Sequence, residues 1–300
     1  MSPPPLPVGP DGLSLALAPM EGVSDAVLRE LLGGLGSMDY CATEFVRVTQ
    51  RPVGRRVLNR MCPELATRGR TVSGVPVFVQ LLGGTPEPMA ESAALVADLG
   101  AYGIDLNFGC PAKRVNGHDG GAAILRAPHR IENLVKTVRR AVPDAVPVTA
   151  KIRLGWENPD IVCDIARAAE AGGADALTIH GRTKVQMYKG QADWVRIGQV
   201  VSLLKIPVVA NGDIVDPDSL ARCREVTGAS AFMLGRGAFA TPNLFRWLRG
   251  VDSERMPPAQ SMLLMRDYVE RLQDDPRFDK PNRAALARLK QWLRAQSAAR

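Results

Sequence analysis

Short apolar segments alternate with helical segments along most of the chain, and this alternation constrains the fold more than any other feature. Apolar or β-branched segments occur eight times, at residues 13–19, 39–46, 76–82, 103–108, 146–152, 175–180, 206–210 and 230–235. Most intervals between them have helical periodicity, including residues 24–32, 88–99, 131–141 and 161–171. Strands that alternate with helices form parallel sheets, so eight repeats predict an α/β fold, a (β/α)8 TIM barrel, over residues 13–245.

The first predicted helix shows how its ends are marked in the sequence. Ser24 is a suitable N-cap for a helix over residues 24–32, and Gly33-Gly34 would end it.

The chain after residue 245 has helical patterns without strands. One helix is predicted over residues 261–272 and a second from about 282 to 296. In the second, Leu286, Leu289 and Leu293 are predicted to face inward, whereas Arg283, Lys290 and Arg294 share a different face. Residues 246–300 are therefore predicted to be a small all-helical domain, and residues 1–12 a proline-rich N-terminal segment.

Composition and cysteine usage exclude several classes of protein. The hydrophobic content is 46%, and the longest apolar stretch, residues 13–20, is far too short to span a membrane. The start of the chain, Ser2-Pro3-Pro4-Pro5, lacks the basic and apolar parts of a signal peptide. The five cysteines are odd in number and show no paired spacing, which argues against a disulfide framework and a zinc site. We therefore expect a cytoplasmic protein without a metal, and the sequence indicates no obligate protein partner.

The formal net charge of +7 is unevenly distributed. Residues 47–70 contain seven arginines and one acid, Glu64, and residues 280–300 contain six basic residues and no acid. Two separate basic clusters favour a long polyanion over a small anionic metabolite as partner. The alternative is an arginine-rich solvated surface without a binding role.

The active site of a TIM barrel lies at the carboxyl ends of its strands. In this chain every predicted strand ends in polar or glycine-rich residues: Pro19-Met20-Glu21, Glu44, Gln80, Asn107 with Cys110, Lys151, His180, Asn211-Gly212-Asp213 and Gly235-Arg236-Gly237. These residues are predicted to converge at one mouth of the barrel.

The last two strand ends and two central residues indicate what this mouth binds. Loops after strands seven and eight commonly hold a phosphate, and Arg236 would add a positive charge. Lys151 and His180 suit an electron-rich ring that gains negative charge on reduction, and Gln80 could bond to the ring edge. The alternatives are a structural ion pair for Lys151 and a hydrogen-bonded core histidine for His180.

The segment Asn107-Phe108-Gly109-Cys110-Pro111 contains a cysteine whose position suits a catalytic role. A short apolar strand ends at Asn107, and Gly109 and Pro111 predict a turn that presents the thiol at the strand tip. The alternative is a buried cysteine that acts as a small hydrophobic residue.

These motifs together resemble the tRNA-dihydrouridine synthases. The resemblance covers residues 13–295 and rests on Ala18-Pro19-Met20-Glu21-Gly22-Val23, Thr43-Glu44-Phe45, Gln80-Leu81, the Cys110 segment, Lys151-Ile152-Arg153, His180-Gly181-Arg182-Thr183, Asn211-Gly212-Asp213 and Gly235-Arg236-Gly237. The sequences at residues 20–23, 44–48 and 288–293 are similar to those of the bacterial DusC subfamily, whose target is uridine 16 of tRNA.

The resemblance implies an FMN-bearing barrel followed by a helical tRNA-binding domain. It assigns a set of residues to FMN: Pro19, Met20, Glu21, Gln80, Lys151, Asn211, Asp213, Gly235 and Arg236, with His180 beside them. NADPH would reduce the flavin, a hydride would pass to C6 of the uracil, and Cys110 would deliver a proton to C5 as a general acid.

The resemblance also implies contacts with the tRNA. Asn107 would bond to the uracil edge, and Tyr188 would lie near the base. Arg47 and Arg288 would orient the tRNA, while the basic C-terminal helix that contains Lys290 would hold phosphates. The loop over residues 113–121 is glycine-rich and could close over the substrate as a lid.

Two alternative functions remain at this stage. One is an FMN oxidoreductase for small molecules, of the dihydroorotate-dehydrogenase type. The other is a non-catalytic tRNA-binding or folding factor. The second basic cluster argues against the first alternative, because a small metabolite does not need it.

Overall fold

Parallel strands form a closed barrel in this protein. The computed structural model describes residues 6–275, 277 and 281–298. Within them the strands are β1 (Ser14–Leu17), β2 (Tyr40–Ala42), β3 (Val46–Arg47), β4 (Val77–Leu82), β5 (Gly103–Asn107), β6 (Val148–Arg153), β7 (Ala176–His180), β8 (Val208–Asn211) and β9 (Ala231–Leu234). β1 pairs with both β2 and β9, so the sheet closes on itself. β2 and β3 both pair with β4 and share one position, which leaves eight positions and confirms the TIM barrel.

Helices surround the barrel and continue beyond it. In the described part of the chain they are α1 (Ala26–Leu35), α2 (Arg55–Met61), α3 (Pro86–Asp98), α4 (Lys113–Asn116), α5 (Pro128–Ala141), α6 (Val162–Ala171), α7 (Trp194–Leu203), α8 (Pro217–Thr227), α9 (Arg236–Ala240), α10 (Leu244–Leu248), α11 (Pro258–Gln273) and α12 (Pro281–Ala298). Short 3-10 helices occur at Pro63–Thr67, Gly121–Arg126 and Pro159–Ile161.

The second predicted strand is interrupted, in contrast to the continuous strand expected over residues 39–46. The backbone amide of Gln80 donates to the side-chain hydroxyl of Thr43 at 3.0 Å, whereas regular pairing would use a backbone carbonyl. The side chain of Glu44 accepts a hydrogen bond from the backbone amide of Gly22. Because side-chain bonds replace regular backbone pairing here, the segment divides into β2 and β3.

The first helix begins later than predicted. Asp25 is its N-cap, since its carboxylate accepts from the amide of Leu28 at 3.0 Å. The predicted cap, Ser24, instead accepts from the amide of Met20 at 2.7 Å through its hydroxyl. The helix also continues through Gly33-Gly34 and ends at Leu35, with Gly36 as its C-cap. Ser24 thus shapes the loop after β1, and the prediction of its role was wrong.

Aromatic rings fill the amino-terminal end of the barrel. The rings of Tyr40 and Phe78 lie 5.2 Å apart, and those of Phe78 and Tyr102 lie 5.6 Å apart. Gly103 leaves room for this packing, because a Cβ at that position would lie 2.4 Å from the Phe78 ring. Leu6 packs against the same cluster. This end of the barrel is therefore filled, and the space for a ligand lies at the other end.

Helices α11 and α12 pack onto the barrel through buried aromatic residues. Tyr268 and Trp292 are fully buried with their rings 5.5 Å apart, and Trp292 lies 5.2 Å from the ring of Phe239. Leu286 and Leu293, predicted to face inward, are instead about half exposed. Leu289 packs against the core as predicted, but Trp292 and the polar Arg288 take the rest of the buried face, so the prediction was wrong for Leu286 and Leu293.

The first basic cluster extends over both ends of the barrel. The guanidinium of Arg70 lies 5.0 Å from the ring of Tyr102, which precedes β5 and so marks the amino-terminal end. Arg70 also forms a backbone bridge with Pro76, just before β4. Because this cluster follows the second strand, we expected all of it at the active-site face, and that expectation was wrong for Arg70. Lys280 and Arg300 of the second cluster, and residues 1–5, lie outside the described residues.

Candidate active site

A cavity of about 990 Å³ opens at the carboxyl ends of the barrel strands. Its volume is in the range of cofactor and ligand pockets. Most of the predicted site residues line it: Pro19, Met20, Glu21, Asn107, Cys110, Lys151, His180, Tyr188, Asn211, Asp213, Gly235 and Arg236. Four predicted residues are described but lie outside this lining: Gln80, Arg47, Arg288 and Lys290.

The turn after β5 holds Cys110 in the cavity wall. The side-chain oxygen of Asn107 accepts from the backbone amides of Gly109 at 3.0 Å and Cys110 at 2.9 Å. On the other side of the turn, the carbonyl of Cys110 accepts from the amide of Ala122 at 3.1 Å. Only 9% of the Cys110 residue surface is exposed, and burial raises the pKa of its thiol. Cys110 is therefore a fixed, protonated thiol that lines the cavity.

Gln80 lies behind Asn107 and does not line the cavity. Its side-chain oxygen accepts from the Asn107 amide at 2.8 Å, and its Nε2 donates to Asp105 at 2.7 Å. Asp105 is held further by the Thr149 hydroxyl at 2.7 Å, and burial raises the pKa of its carboxyl. Gln80 thus orients Asn107, which orients Cys110. The direct contacts of Gln80 with a flavin and of Asn107 with uracil stay predictions.

Lys151 occupies the cavity beside a neutral acceptor. Its Nζ donates to the side-chain oxygen of Asn211 at 2.9 Å, and the Asn211 amide donates to the carbonyl of Met233 at 2.7 Å. Burial, together with the nearby charge of Arg153, lowers the pKa of Lys151 to about 8. The lysine is thus a fixed cation that can move a proton near neutral pH.

His180 lies beside Lys151 and is held neutral. Burial lowers the pKa of its imidazole to about 2, and the positive charges of Lys151, Arg153 and Arg182 add to this effect. Its Nδ1 is buried without a hydrogen-bond partner among the described residues. A buried polar atom without a partner is costly, so this nitrogen is suited to a polar group of a ligand.

We expect His180 to remain neutral in nuclear magnetic resonance titrations of the ligand-free protein. Because its pKa is lowered in the folded state, the unfolded state binds the proton more readily. The free energy of unfolding should therefore decrease as pH falls below the ordinary histidine value, about 6.5. The ring signals of His180 should stay constant from about pH 7 to pH 5. A His180 signal that shifts in this range would contradict the expectation.

The loops after β8 and β9 form the other end of the cavity. Gly212 has φ of 124°, and a Cβ there would lie 2.9 Å from Ala192 Cβ, so glycine is required. Asp213 accepts from Arg182 at 2.6 Å and from the amide of Ala192 at 2.7 Å. Arg236 lies 3.6 Å from Asp213 with most of its side chain exposed. Its guanidinium is therefore available to an anion at this end.

Arg153 is a site residue that the sequence predictions did not include. Its Nε donates to the carbonyl of Gly109 at 2.9 Å, and its Nη1 donates to the carbonyls of Thr183 and Met187 at 3.1 and 2.8 Å. It thereby joins the Cys110 turn to the loop after β7. The spacing from Lys151 to Arg153 was the available signal, because alternate residues of a strand share a face.

The remaining predicted residues have different environments. Tyr188 is half exposed at the cavity rim, with the guanidinium groups of Arg153 and Arg236 at 5.4 and 5.1 Å from its ring. Arg47 ends β3 and is partly buried, and Lys290 is exposed on α12. Their predicted contacts with RNA stay predictions.

The predicted lid over residues 113–121 begins with the short helix α4. The side chain of Asn116 donates to the carbonyls of Cys110 at 3.1 Å and Ala112 at 2.8 Å. Asp119 pairs with Arg130 at 2.6 Å. These bonds attach the segment to the Cys110 turn, and its closure over a substrate stays a prediction.

In the described part of the chain, no group of three or more histidine, cysteine or acidic side chains is placed to hold a metal ion. None of the helices described above is both long enough and apolar enough to cross a bilayer.

The chain is similar to one protein family over nearly its whole length. A family model for dihydrouridine synthases matches residues 16–300. The tRNA-dihydrouridine(16) synthase of Salmonella typhimurium is 45% identical over 94% of this chain and 89% of its own length. Those of Pseudomonas putida and Escherichia coli K12 are each 44% identical over 94% of this chain, covering 87% and 88% of their own lengths.

Solved structures are similar in fold at low sequence identity. Histamine dehydrogenase from Rhizobium sp. 4-9 matches with a TM-score of 0.60 at 13% identity, over 80% of this chain and 46% of that chain. An old yellow enzyme homologue from Zymomonas mobilis matches with a TM-score of 0.55 at 14% identity, over 82% of this chain and 91% of that one. At these identities the similarity establishes the barrel fold alone.

Proposed function

The chain belongs to the dihydrouridine synthase family, and from this premise we propose that it reduces uridine 16 of tRNA to dihydrouridine with FMN as cofactor and NADPH as reductant. Membership of the family makes the chain a flavin-dependent oxidoreductase that acts on tRNA. It also argues against both alternatives left open by the sequence, a small-molecule FMN enzyme and a non-catalytic tRNA-binding factor. Position 16 is supported by the relatives, which are tRNA-dihydrouridine(16) synthases. The match with this chain covers most of their length.

The residues that line the cavity fit a flavin. Lys151 and the unpartnered Nδ1 of His180 would bond to a polar ring edge, and Pro19 and Met20 would supply an apolar wall. Gly235 and Arg236 lie at the amino end of α9, where amides have no partner within the helix, so they suit a phosphate. The proposed FMN residues are therefore those predicted from the sequence: Pro19, Met20, Glu21, Lys151, His180, Asn211, Asp213, Gly235 and Arg236, with Gln80 acting through Asn107.

Cys110 is the proposed catalytic acid. A bound flavin supplies the hydride that adds to C6 of the uracil, and C5 must then receive a proton. The Cys110 thiol lies in the wall of the same cavity and is kept protonated by burial. It can therefore donate its proton at C5. Asn107 and Arg153 hold its turn from two sides, so the thiol keeps its orientation during proton transfer.

The depth of the cavity requires the target uridine to leave the base stack. A stacked base cannot reach Lys151 or Cys110, and a nucleotide in a loop costs least to extrude. Tyr188 is exposed at the rim and can stack on a base, whereas Arg47 and Lys290 can contact phosphates. We propose that the helical region after residue 245 is the tRNA-binding domain, since α12 carries the exposed cations Arg283, Lys290 and Arg294.

One observation carries the proposal: the Cys110 thiol on its fixed turn shares a cavity with the buried Lys151, the unpartnered Nδ1 of His180 and the exposed guanidinium of Arg236. The test incubates the flavin-loaded protein and NADPH with tRNA from a strain that lacks dihydrouridine, then maps the product by mass spectrometry. Reduction confined to position 16 is the expected result.

The other outcomes of this experiment are informative. Reduction at a different position would retain the chemistry and refute the position. Tight binding of tRNA without reduction under these conditions would favour a non-catalytic RNA-binding role. Parallel reactions without NADPH, and with NADH in its place, identify the reductant.

A further inference from the structure

A buried polar network joins helices α11 and α12 to the mouth of the barrel. The hydroxyl of Tyr268 donates to Asp25 Oδ2 at 2.8 Å, and Nε of Arg288 donates to the same oxygen at 3.1 Å. The Nη2 of Arg288 lies 3.9 Å from Glu44 Oε1. The Arg288 side chain is only 13% exposed. Most of its surface is therefore occupied by the barrel and is not available to an RNA phosphate.

Glu44 transmits this contact to a loop of the cavity wall. Its Oε1 accepts from the backbone amide of Gly22. Gly22 lies between Glu21 and Val23, and both of these residues line the cavity, as does Met20. The position of residues 20–23 therefore depends on Glu44, which in turn faces Arg288.

Helix α12 also contacts the opposite side of the cavity. Trp292 packs on Phe239, which belongs to α9, the helix that begins at Arg236. Ala295 lies one turn further along α12 and itself lines the cavity. A single helix thus supports the loop after β1 and the helix after β9, at the two sides of the predicted FMN site.

The charges of this network explain why the arginine is needed. Burial raises the pKa of Glu44, whereas the positive charge of Arg288 lowers it and the nearby Asp25 raises it. Without the Arg288 cation, the Asp25 and Glu44 carboxylates would repel each other with less compensation, and the Glu44 side chain would move away from Asp25. Its contact with Gly22 would then be lost or weakened.

We propose that Arg288 is a positioning residue of the active site, which holds residues 20–23 through Glu44 and so makes α12 part of the flavin-binding site. This inference rests on the proposed function, because it concerns the affinity for FMN. It differs from the predicted role of Arg288, in which the side chain contacts tRNA.

The test compares two variants of the full chain on the same helix. Arg288→Met removes the buried cation, and Lys290→Met removes an exposed cation two residues away as the matched control. The FMN dissociation constant of the flavin-free protein is measured by fluorescence quenching, and tRNA binding is measured separately. We expect Arg288→Met to bind FMN about tenfold more weakly, and Lys290→Met to stay within about twofold of wild type.

A second pair of variants distinguishes positioning from folding. Glu44→Gln keeps an oxygen that can accept from Gly22, whereas Glu44→Ala removes it. We expect Glu44→Gln to retain most of the FMN affinity and Glu44→Ala to lose about tenfold. Urea unfolding of each flavin-free variant reports stability independently. A purely structural role would lower the free energy of unfolding and leave the FMN affinity of the folded protein unchanged.

Three results would overturn the inference. They are unchanged FMN affinity in Arg288→Met, equal losses in the two Glu44 variants, and weakened tRNA binding as the sole effect of Arg288→Met. The proposed function fails by a separate result, which is the absence of tRNA reduction by the flavin-loaded wild-type protein. Wild-type reduction of tRNA together with unchanged FMN affinity in Arg288→Met refutes this inference alone.

Discussion

Replacing Cys110 by alanine is expected to lower the rate of tRNA reduction by about 10²–10⁴-fold, the usual contribution of a positioned general acid. The reduction of bound flavin by NADPH should proceed at the wild-type rate, since it does not need a proton at C5 of uracil. Stopped-flow absorbance under anaerobic conditions separates the two half-reactions, and mass spectrometry counts the dihydrouridine formed. A variant that keeps the wild-type rate of tRNA reduction would show that another group donates the proton.

If Cys110 is the general acid, the rate of tRNA reduction should depend on pH in a defined direction. Burial raises the pKa of Cys110, so the thiol should stay protonated at neutral and mildly alkaline pH. The rate of tRNA reduction should then fall as pH rises through this raised pKa, because the thiolate has no proton to donate. Cys163→Ala is the matched control, since Cys163 is a free, partly buried cysteine outside the cavity lining. Its rate of tRNA reduction should equal that of wild type.

Removing Arg29 is expected to destabilise the protein by about 3–5 kcal/mol, the cost of breaking a buried ion pair from one side. The Arg29 side chain is fully buried, and it donates to the two oxygens of Glu64 from Nε at 2.9 Å and from Nη2 at 2.8 Å. Its Nη1 donates to the carbonyl of Ser24 at 2.8 Å. Arg29→Met would leave the Glu64 carboxylate buried without this partner. Urea unfolding monitored by circular dichroism measures the change.

The pH dependence of stability should identify the ion pair as the cause. Burial alone would raise the pKa of Glu64, but the charge and hydrogen bonds of Arg29 outweigh it and hold the pKa below its ordinary value. The stabilisation by the Arg29–Glu64 pair is therefore complete above the pKa of Glu64 in the unfolded state, about 4.3. It is lost as pH falls through the pKa of Glu64 in the folded state. The difference in the free energy of unfolding between wild type and Arg29→Met should thus become smaller at acidic pH.

An exposed pair provides the control for this experiment. Arg266 and Glu270 lie 3.6 Å apart on α11 with most of each side chain exposed. Arg266→Met should change the free energy of unfolding by less than about 0.5 kcal/mol, because solvent screens such pairs. If Arg29→Met lowered the free energy of unfolding as little as the control variant does, the assigned role of the buried pair would be refuted.

Local sequence was sufficient to predict the barrel and much of its mouth. Strand and helix alternation depends on short-range periodicity, and parallel topology forces all strand ends to one face. For that reason Lys151, His180 and Asn211 were predicted together although they are far apart in the chain, and the structure places all three in one cavity. The turn at Cys110 was also predictable, because Asn107, Gly109 and Pro111 define it locally.

Contacts between distant segments decided the features that the sequence did not predict. The side of α12 that faces the barrel depends on Trp292 packing against Phe239 and on Arg288 reaching Asp25, and leucine spacing contains neither contact. Arg70 lies at the opposite end of the barrel from the site because the chain must return there before β4 begins.

The sequence by itself determined the fold, the strand ends that carry chemistry and the thiol at Cys110, because each depends on residue order and on spacings of a few residues. The tertiary structure alone decided which polar groups reach the cavity. Gln80 is enclosed by Asn107 and Asp105, and Arg288 by two carboxylates of the barrel. Buried polar groups must find partners, and the folded chain brings those partners together from segments far apart in sequence.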